Sequence, residues 1–198
     1  MKDFWNERYS EQEFVYGTEP NNFFKEHIEN LESRTIILPA EGEGRNAIYA
    51  ASKGWDVTAV DYSEQGKKKA LKLAEQKGVN IKYDLSDLAD YDFGQNKYDA
   101  AAFIYVHLPR SIIKDVYSHV ISSVKPGGKI IVEVYSVNQL GRNSGGPKDK
   151  RVLYTEEKLR DLLSGTDIKW MDEVEVTLNE GMHHVGKAMV FRAIAEKV

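Results

Sequence analysis

Residues 35–47 read TIILPAEGEGRNA, and they set the architecture expected for the whole chain. The first half is apolar and β-branched, which is typical of a buried strand, and the second half continues into a helical pattern. Gly42 and Gly44 lack a Cβ, so the backbone between these halves can adopt positive φ and bring its N–H groups close to a ligand. The following helix points its amino-terminal amides at the same place, which favours carboxylate, phosphate or polarised hydroxyl groups. The stretch therefore predicts a strand, a tight turn and a helix start around a ligand.

An acid further along the chain fits the same site. The run WDVTAV of residues 55–60 is typical of a second strand, and it ends at Asp61. A carboxylate at the end of that strand can accept both hydroxyl protons of a ribose, as it does in dinucleotide-binding folds. The glycine turn and Asp61 together predict a site for an adenosine-containing molecule. The alternative is a glycine turn of any α/β protein, with Asp61 as an ordinary strand-terminal acid.

Composition narrows the class of protein. The chain has 198 residues, 41% of them hydrophobic, which suits a single α/β domain with a sizeable core. Its net charge of −4 gives no support for a nucleic-acid partner, and no apolar stretch approaches the length of a membrane helix. Without cysteine it can hold no disulfide and no cysteine-based zinc site. We expect a cytoplasmic protein with a small-molecule substrate and no metal, as a monomer or a homodimer.

The N-terminal residues 1–34 are predicted to form a helical lid. Phe4, Trp5, Arg8 and Tyr9 recur at helical spacing and share one face. A turn with the sequence YGTEPN, which begins at Tyr16, separates them from a second helix. The aromatic and cationic side chains of such a lid could close over a site at the edge of the sheet. The alternative is that the aromatic residues only pack onto the core.

The remaining chain alternates strands and helices. Residues 35–135 are predicted to form a cofactor-binding βα core, in which short links between strands imply a parallel sheet with right-handed crossovers. Residues 136–198 are predicted to form a mobile loop, a helix and a C-terminal antiparallel hairpin. The expected strands cover residues 35–39, 55–60, 79–83, 97–106, 129–135, 168–178 and 185–195, and the helix after the fourth strand is expected to begin at Pro109. The predicted fold class is α/β, doubly wound and Rossmann-like.

Several short motifs carry a family resemblance. In chain order they are YGTEPN at 16–21, AEGEGRNA at 40–47, Asp61, Asp84-Leu85, Tyr98-Asp99, KPGG at 125–128 and EGMHHVG at 180–186. In this order and spacing they resemble the class I S-adenosylmethionine-dependent methyltransferases, and within them the small tellurite-resistance and thiopurine methyltransferase-like branch. The resemblance covers nearly the full chain. It implies a seven-stranded, mostly parallel sheet with one antiparallel strand in its edge region, and S-adenosylmethionine as the cofactor.

The resemblance also assigns residues to the cofactor. Ala40, Glu41 and Gly42 would pass beneath its methionine part, Asp61 would hold the ribose, Tyr62 would lie against the adenine, Asp84 and the Leu85 amide would bond the adenine, and Ile104 or Tyr105 would face the sulfonium. Trp5, Tyr16 and Arg45 complete the expected cofactor set. The chain departs from the family at Leu38 and Ala40, where an acid and a glycine are usual. Glu41 or Glu43 would then supply the carboxylate for the cofactor's amino group.

Methyl transfer from a sulfonium needs a positioned nucleophile and little else, because the cofactor is already activated. A soft sulfur, selenium or tellurium nucleophile needs no strong base, whereas an amine or hydroxyl must lose a proton. His107, Tyr105 and Arg8 are the candidate catalytic or substrate-contacting residues, with His107 as the candidate base. The alternative is that His107 is not a base but a structural histidine, hydrogen-bonded at the start of a helix. Two rival functions stay open, an NAD(P)-dependent oxidoreductase and a cofactor-binding regulator without catalysis.

Overall fold

A seven-stranded sheet with helices on its faces forms the body of the molecule. The computed structural model describes residues 2–198, so Met1, the first residue of the predicted lid, lies outside the described residues. The strands are β1 (Thr35–Pro39), β2 (Asp56–Asp61), β3 (Lys82–Leu85), β4 (Tyr98–Ile104), β5 (Val124–Tyr135), β6 (Thr166–Glu180) and β7 (His184–Lys197). The helices are α1 (Lys2–Tyr9), α2 (Asn22–Ile28), α3 (Arg45–Ser52), α4 (Glu64–Lys77), α5 (Ile113–Ser123) and α6 (Glu156–Leu162).

The strand order across the sheet is β3-β2-β1-β4-β5-β7-β6. Neighbours from β3 to β5 pair in parallel, whereas β7 pairs antiparallel with both β5 and β6. The parallel half arises because a helix, or residues 86–97 between β3 and β4, carries the chain back to the same edge before the next strand, and β6 and β7 are antiparallel because a tight turn joins them. This arrangement confirms the predicted fold class, including the antiparallel strand near one edge.

The centre of the sheet is covered on both faces. Successive residues of β4 are buried against opposite layers, with Ala101 and Phe103 facing α5 and α6, and Ala102 facing the side of α2 and α3. A strand that is buried on both faces has no polar side to alternate with, which explains its uninterrupted apolar sequence. The carboxyl ends of β1, β2 and β4 therefore meet at one edge, where the chain turns repeatedly through polar residues.

Several boundaries differ from the predicted ones. The strand expected at 79–83 begins only at Lys82, and the helix expected from Pro109 begins at Ile113 because residues 109–112 form a turn closed on the Pro109 carbonyl. The KPGG motif lies within β5 rather than before it, since Val124 pairs with Tyr98 across a register shift.

The segment expected to be a mobile loop is held against the sheet. It contains two short 3-10 helices, and Gln139 and Ser144 are buried within it. The Gln139 side-chain amide donates to Ser144 Oγ at 2.9 Å, and Ser144 Oγ donates to the Lys187 carbonyl at 2.7 Å. These bonds fasten the loop to β7. Among residues 2–198, no helix has the length and apolar character needed to span a bilayer.

Candidate functional site

The glycine turn after β1 is a compressed stretch of left-handed backbone. Ala40, Gly42 and Gly44 have φ values of 55°, 58° and 85°. A Cβ on Gly42 would lie 2.5 Å from the Tyr9 hydroxyl oxygen, and one on Gly44 would lie 2.6 Å from the Ala70 Cβ. Both positions therefore require glycine, because a side chain would collide as well as strain the backbone. Ala40 accepts the strained conformation although it carries a Cβ.

Asp61 at the end of β2 is bonded directly to this turn. One carboxylate oxygen accepts from the Gly42 N–H at 3.0 Å, and the other accepts from the Ser63 N–H at 2.8 Å. The residue is buried, and burial raises the pKa of Asp61 to about 6, against the lowering effect of these N–H groups. The predicted ribose contact and the predicted glycine turn are thus adjoining parts of one site.

A cavity of about 490 Å³ opens beside Asp61 at the carboxyl ends of β2 and β3. It is lined by Tyr62, Leu85, Ser86, Asp87, Leu88, Leu108 and Ile112. The volume is typical of a small-ligand site, and the walls are mostly apolar with few polar groups. Two of the predicted adenine contacts, Tyr62 and Leu85, lie in this lining.

The other predicted adenine contact, Asp84, is engaged elsewhere. Its carboxylate accepts from the Tyr91 hydroxyl at 2.6 Å and pairs with Lys82. The bonds from Lys82 and Tyr91 outweigh burial and lower the pKa of Asp84. Asp87, which the sequence reasoning missed, is the acid in the lining of the cavity. The signal for it was the DLSDL run, in which a second acid follows the end of the strand.

The two glutamates of the glycine turn have different surroundings. Glu41 is half-buried, and its carboxylate accepts from the Ala47 N–H at 2.7 Å in the first turn of α3. Burial raises the pKa of Glu41 to about 7. Glu43 instead accepts from the Val15 N–H at 2.9 Å and pairs with Lys69 at 2.7 Å. Glu43 therefore fastens the N-terminal segment to α4, which leaves Glu41 as the better candidate for a cationic amino group.

The N-terminal segment covers the site with aromatic rings. The Trp5 ring stacks on Tyr9 with a centroid separation of 5.4 Å, and Tyr9 in turn lies against Gly42. The Tyr16 ring lies 4.4 Å from the His184 ring. Arg8 donates to the Tyr16 hydroxyl at 3.2 Å. The three predicted lid contacts Trp5, Arg8 and Tyr16 thus form one connected group over the carboxyl edge of the sheet.

Behind this cover, Glu133 on β5 anchors a buried polar network. Its carboxylate is fully buried and accepts from Asn21 Nδ2, the Tyr105 hydroxyl and Arg192 Nε, each at 2.6 Å. A buried carboxylate needs such partners because an unpaired charge in this environment is very unfavourable. Tyr105, the predicted sulfonium neighbour, has a φ of 55° immediately after Ile104, and its hydroxyl is held by this network.

A second carboxylate, Glu180 at the end of β6, continues the network. It pairs with Arg45 at 2.8 Å and accepts from His184 Nδ1 at 3.2 Å. Arg45 also donates to the backbone carbonyls of Tyr16 and Glu19. Arg45 therefore ties the N-terminal segment to the hairpin, a role that differs from the cofactor contact expected from the sequence. His184 was not among the predicted site residues.

Both ring nitrogens of His107, the candidate base, are engaged. Nδ1 lies 3.0 Å from the Val152 carbonyl, which can only accept, so Nδ1 carries the hydrogen. Nε2 accepts from the Tyr135 N–H at 3.2 Å. Burial lowers the pKa of His107 to about 4, so the ring is neutral near pH 7. The geometry suits a histidine that holds the chain after β4 to its neighbours, which is the alternative foreseen for it.

The described residues contain no cluster of three or more histidine, cysteine, aspartate or glutamate side chains that could hold a metal ion. What the site offers is a glycine turn, a strand-end acid and an apolar cavity on one side, and an aromatic cover over paired charges on the other. The first group fits a nucleoside bound through its ribose hydroxyls and its base. The second group lies where a molecule that reacts with that nucleoside could approach.

Comparisons with known proteins agree with this geometry. A family model for a methyltransferase domain matches residues 39–128. Phosphoethanolamine N-methyltransferase 2 of Caenorhabditis elegans is 28% identical over 129 residues, which cover 63% of this chain and 28% of that protein. The probable S-adenosyl-L-methionine-dependent methyltransferase TehB of Haemophilus influenzae is 28% identical over 116 residues, which cover 52% of this chain and 40% of that protein. The chain therefore spans less than half the length of either curated relative.

The fold comparison extends over the whole chain. The crystal structure of TehB from Haemophilus influenzae superimposes with a TM-score of 0.73 at 17% identity, covering 100% of this chain and 67% of that chain. At this identity the superposition establishes the shared fold. The chain thus has the fold of this methyltransferase, and residues 39–128 within it are similar to a methyltransferase domain.

Proposed function

We propose that the chain transfers a methyl group from S-adenosylmethionine to a small-molecule acceptor. The observation that carries this proposal is the cavity lined by Tyr62 and Leu85, which adjoins Asp61 and the glycine turn. A nucleoside in that position would have its base in the cavity and its ribose at Asp61. The same acid already holds the Gly42 N–H at 3.0 Å, so it can orient the turn and the ribose together.

Each end of the cofactor has a plausible partner in the chain. The adenine would lie between Tyr62 and Leu85, with Asp87 as the acceptor for its amino group. The methionine part would pass the glycine turn, where Glu41 could pair with its ammonium group. A cation there would favour the ionised form of a carboxyl group that burial otherwise keeps partly protonated. When bound, the cofactor supplies an activated methyl group, and the protein orients the acceptor and excludes water.

The strand order argues against the oxidoreductase alternative. Dinucleotide-binding sheets of the 3-2-1-4-5-6 type are wholly parallel, whereas this sheet inserts the antiparallel strand β7 between β5 and β6. The regulator alternative is disfavoured by the closed aromatic cover, because exclusion of water serves a reaction more than it serves signalling. Neither argument identifies the acceptor.

We further propose that the acceptor reacts through a group that needs no strong base. His107 has both ring nitrogens engaged and a pKa lowered to about 4 by burial, so it is poorly suited to accept a proton near pH 7. A soft sulfur, selenium or tellurium nucleophile meets this condition. The name of the Caenorhabditis elegans relative points instead to an amine, so phosphoethanolamine belongs in any acceptor screen.

Two measurements test the proposed function. Calorimetric titration with S-adenosylmethionine, S-adenosylhomocysteine and NADH should show binding of the first two and none of NADH. A transfer assay with methyl-labelled S-adenosylmethionine should then be run on thiol, selenol, tellurite, phenol and amine acceptors, including phosphoethanolamine. Methylation of a thiol or selenol above the amines supports both parts of the proposal. Preferred methylation of an amine contradicts the acceptor class, and tight cofactor binding without transfer to any acceptor favours the regulator.

A further inference from the structure

An aromatic cluster fills the space between the ends of β4 and β5 and the hairpin. We define it as Tyr16, Tyr105, Tyr135 and His184. The rings of Tyr105 and Tyr135 stack at 4.8 Å, and the His184 ring stands across them at 4.7 Å and 5.5 Å. Tyr16 covers His184 from the N-terminal segment at 4.4 Å. The cluster therefore includes Tyr105, the residue expected to face the reacting end of the cofactor.

One hydroxyl of this cluster has no hydrogen-bond partner among the described residues. The Tyr105 hydroxyl donates to Glu133, the Tyr16 hydroxyl accepts from Arg8, and His184 Nδ1 bonds Glu180. The Tyr135 hydroxyl has no partner, and because the residue is only 1% exposed, bulk water does not supply one either. A phenylalanine would fill the same space without burying an unsatisfied hydroxyl, so this oxygen is unfavourable for folding alone. A hydroxyl kept at such a position is explained if it bonds a ligand.

The cover over this hydroxyl is a pair of glycines. Gly145 and Gly146 have φ values of 109° and 81°. A Cβ on Gly145 would lie 3.1 Å from the Tyr135 hydroxyl oxygen, and one on Gly146 would lie 3.0 Å from the Tyr135 ring. The backbone therefore closes directly on the tyrosine, without any intervening side chain. Displacing this pair would open the hydroxyl to a small molecule from the solvent side.

The buried carboxylates beside the cluster are already paired. Glu133 bonds Arg192 at 2.6 Å, and Glu180 bonds Arg45 at 2.8 Å. Arg8 is the cation on the N-terminal segment that reaches the cluster, and it bonds the Tyr16 hydroxyl. A charged group entering beside Tyr135 would therefore meet aromatic rings and these ion pairs. An uncharged group with a lone pair would meet a neutral phenol that can donate to it.

We propose that the Tyr135 hydroxyl is a hydrogen-bond donor to the methyl acceptor, and that the acceptor enters this cluster as an uncharged group carrying a lone pair. This inference rests on the proposed function, since it assigns the second substrate of the same site. Tyr135 thereby becomes a specificity-determining residue, and residues 144–146 together with Tyr16 become the parts that must move for the acceptor to enter.

Three small thiols of similar size test the charge requirement: neutral 2-mercaptoethanol, anionic mercaptoacetate and cationic cysteamine. Binding of each to the protein saturated with S-adenosylhomocysteine is measured by saturation-transfer NMR. We expect 2-mercaptoethanol to bind about fivefold more tightly than either charged probe. Equal or tighter binding of a charged probe, or no binding of the neutral one, overturns the proposal.

Two variants test the hydroxyl itself. Tyr135→Phe should weaken 2-mercaptoethanol binding about fivefold and leave S-adenosylhomocysteine binding unchanged. Tyr98→Phe is the matched control, because Tyr98 is also a fully buried tyrosine and lies at the opposite end of β4, away from the cluster. It should change probe binding by less than about twofold. Unchanged probe binding in Tyr135→Phe overturns the proposal.

Thermal unfolding gives a readout that is independent of any ligand. Tyr135→Phe should not have a lower Tm than the parent protein, because the Tyr135 hydroxyl bonds no other group among residues 2–198. A clear loss of Tm in Tyr135→Phe alone would mean that the hydroxyl has a partner in the folded chain, and this would overturn the proposal.

The failure of the proposed function is recognised separately. S-adenosylhomocysteine is titrated first, and absence of binding removes the proposed function. The probes are then titrated against the protein alone. If S-adenosylhomocysteine does not bind, a loss of 2-mercaptoethanol binding in Tyr135→Phe but not in Tyr98→Phe still supports the acceptor subsite. If Tyr135→Phe binds the probe as the parent protein does, the acceptor subsite is overturned too.

Discussion

The two halves of the candidate site are built differently. On the β2–β3 side, the cavity beside Asp61 has apolar walls and is open. On the β4–β5 side, Glu133 and Glu180 are surrounded by hydrogen-bond partners and covered by the N-terminal segment. The first arrangement is suited to receive a flat, mostly apolar base. The second fixes backbone and side chains in one geometry, at the place where we propose that methyl transfer occurs, a reaction that demands accurate positioning.

We infer that the β4–β5 side of the site contributes mainly to stability and the β2–β3 side mainly to ligand binding. Changes in the network on the β4–β5 side should affect folding first, because they leave buried charges unpaired. Changes at Tyr62, Leu85 or Asp87 on the β2–β3 side should affect binding first, since these side chains are partly exposed, unlike the core residues Leu88 and Leu108. The predictions below test this division.

The largest effect is expected for Glu180→Ala. This change leaves Arg45, which is almost fully buried, without its carboxylate partner, and should lower the free energy of unfolding by about 3–5 kcal/mol. Glu175→Ala is the matched control on the same strand, because Glu175 pairs with Arg142 and Lys187 at the surface and should cost about 1 kcal/mol or less. Urea denaturation followed by circular dichroism measures both. Equal losses would mean that the buried pair is no more important than the exposed one.

A smaller effect on binding is expected for Asp61→Ala. The change removes the proposed ribose contact and the acceptor of the Gly42 N–H, and should weaken S-adenosylhomocysteine binding by about 1–3 kcal/mol. Calorimetry on the folded variant measures this loss. A dissociation constant equal to that of the parent protein would remove Asp61 from the cofactor site.

Asp61 should also give the stability a distinctive pH dependence. Burial raises its pKa from 3.8 to about 6, so between these values the folded chain binds more protons than the unfolded chain. The contribution of Asp61 is therefore present below about pH 4 and is lost as the pH rises through 6. His107 acts in the opposite sense, since burial lowers its pKa from 6.5 to about 4.

Comparison with Asp61→Asn separates the two contributions. Relative to Asp61→Asn, the parent protein should lose about 2–3 kcal/mol of its free energy of unfolding between pH 4 and pH 7. Urea titrations at four or five pH values would measure it. A difference that does not change with pH would show that Asp61 titrates normally in the folded chain.

The smallest effect is expected within the cavity. Asp87→Asn should weaken S-adenosylhomocysteine binding by about 1 kcal/mol, because it replaces an acceptor for the adenine amino group by a poorer one. Asp84→Asn should change binding less, since the Asp84 carboxylate bonds Tyr91 and Lys82. A larger loss for Asp84→Asn would restore the assignment implied by the family resemblance.

Much of the fold was predictable because its signals are local. The predicted glycine turn after β1 depends on a few neighbouring residues, and the structure confirms it. The N-cap of α4 at Ser63 and the αL residue at Gly78 are local features of the same kind. The boundaries of β3 and β5 were less predictable, because strand ends depend on the partner strand. The pairing of Val124 with Tyr98 extends β5 backwards through a motif that reads as a turn.

The cavity side of the site could also be anticipated in part. Tyr62 and Leu85 follow strand ends that the sequence marks, and both line the cavity. Asp87 was missed because β3 ends two residues later than expected. The residues that line the cavity after this strand are therefore also later in the chain than expected.

The network on the other side could not be anticipated from the sequence. The bond between Asn21 and Glu133 joins residues 112 positions apart, and although Asn21 ends the YGTEPN motif, nothing in the sequence connects it to Glu133. The same holds for Tyr135, which reads as an ordinary strand residue until its hydroxyl is found without a partner. Sequence motifs predict where a ligand would bind, whereas tertiary contacts alone reveal how the second half of the candidate site is held.

The central claim is that the cavity beside Asp61 receives the adenosine of S-adenosylmethionine. A crystal structure of the complex with S-adenosylhomocysteine tests it most directly. We expect the adenine to lie between Tyr62 and Leu85 and both ribose hydroxyls to bond the Asp61 carboxylate. An adenine bound outside this cavity, or a ribose with no contact to Asp61, would contradict it.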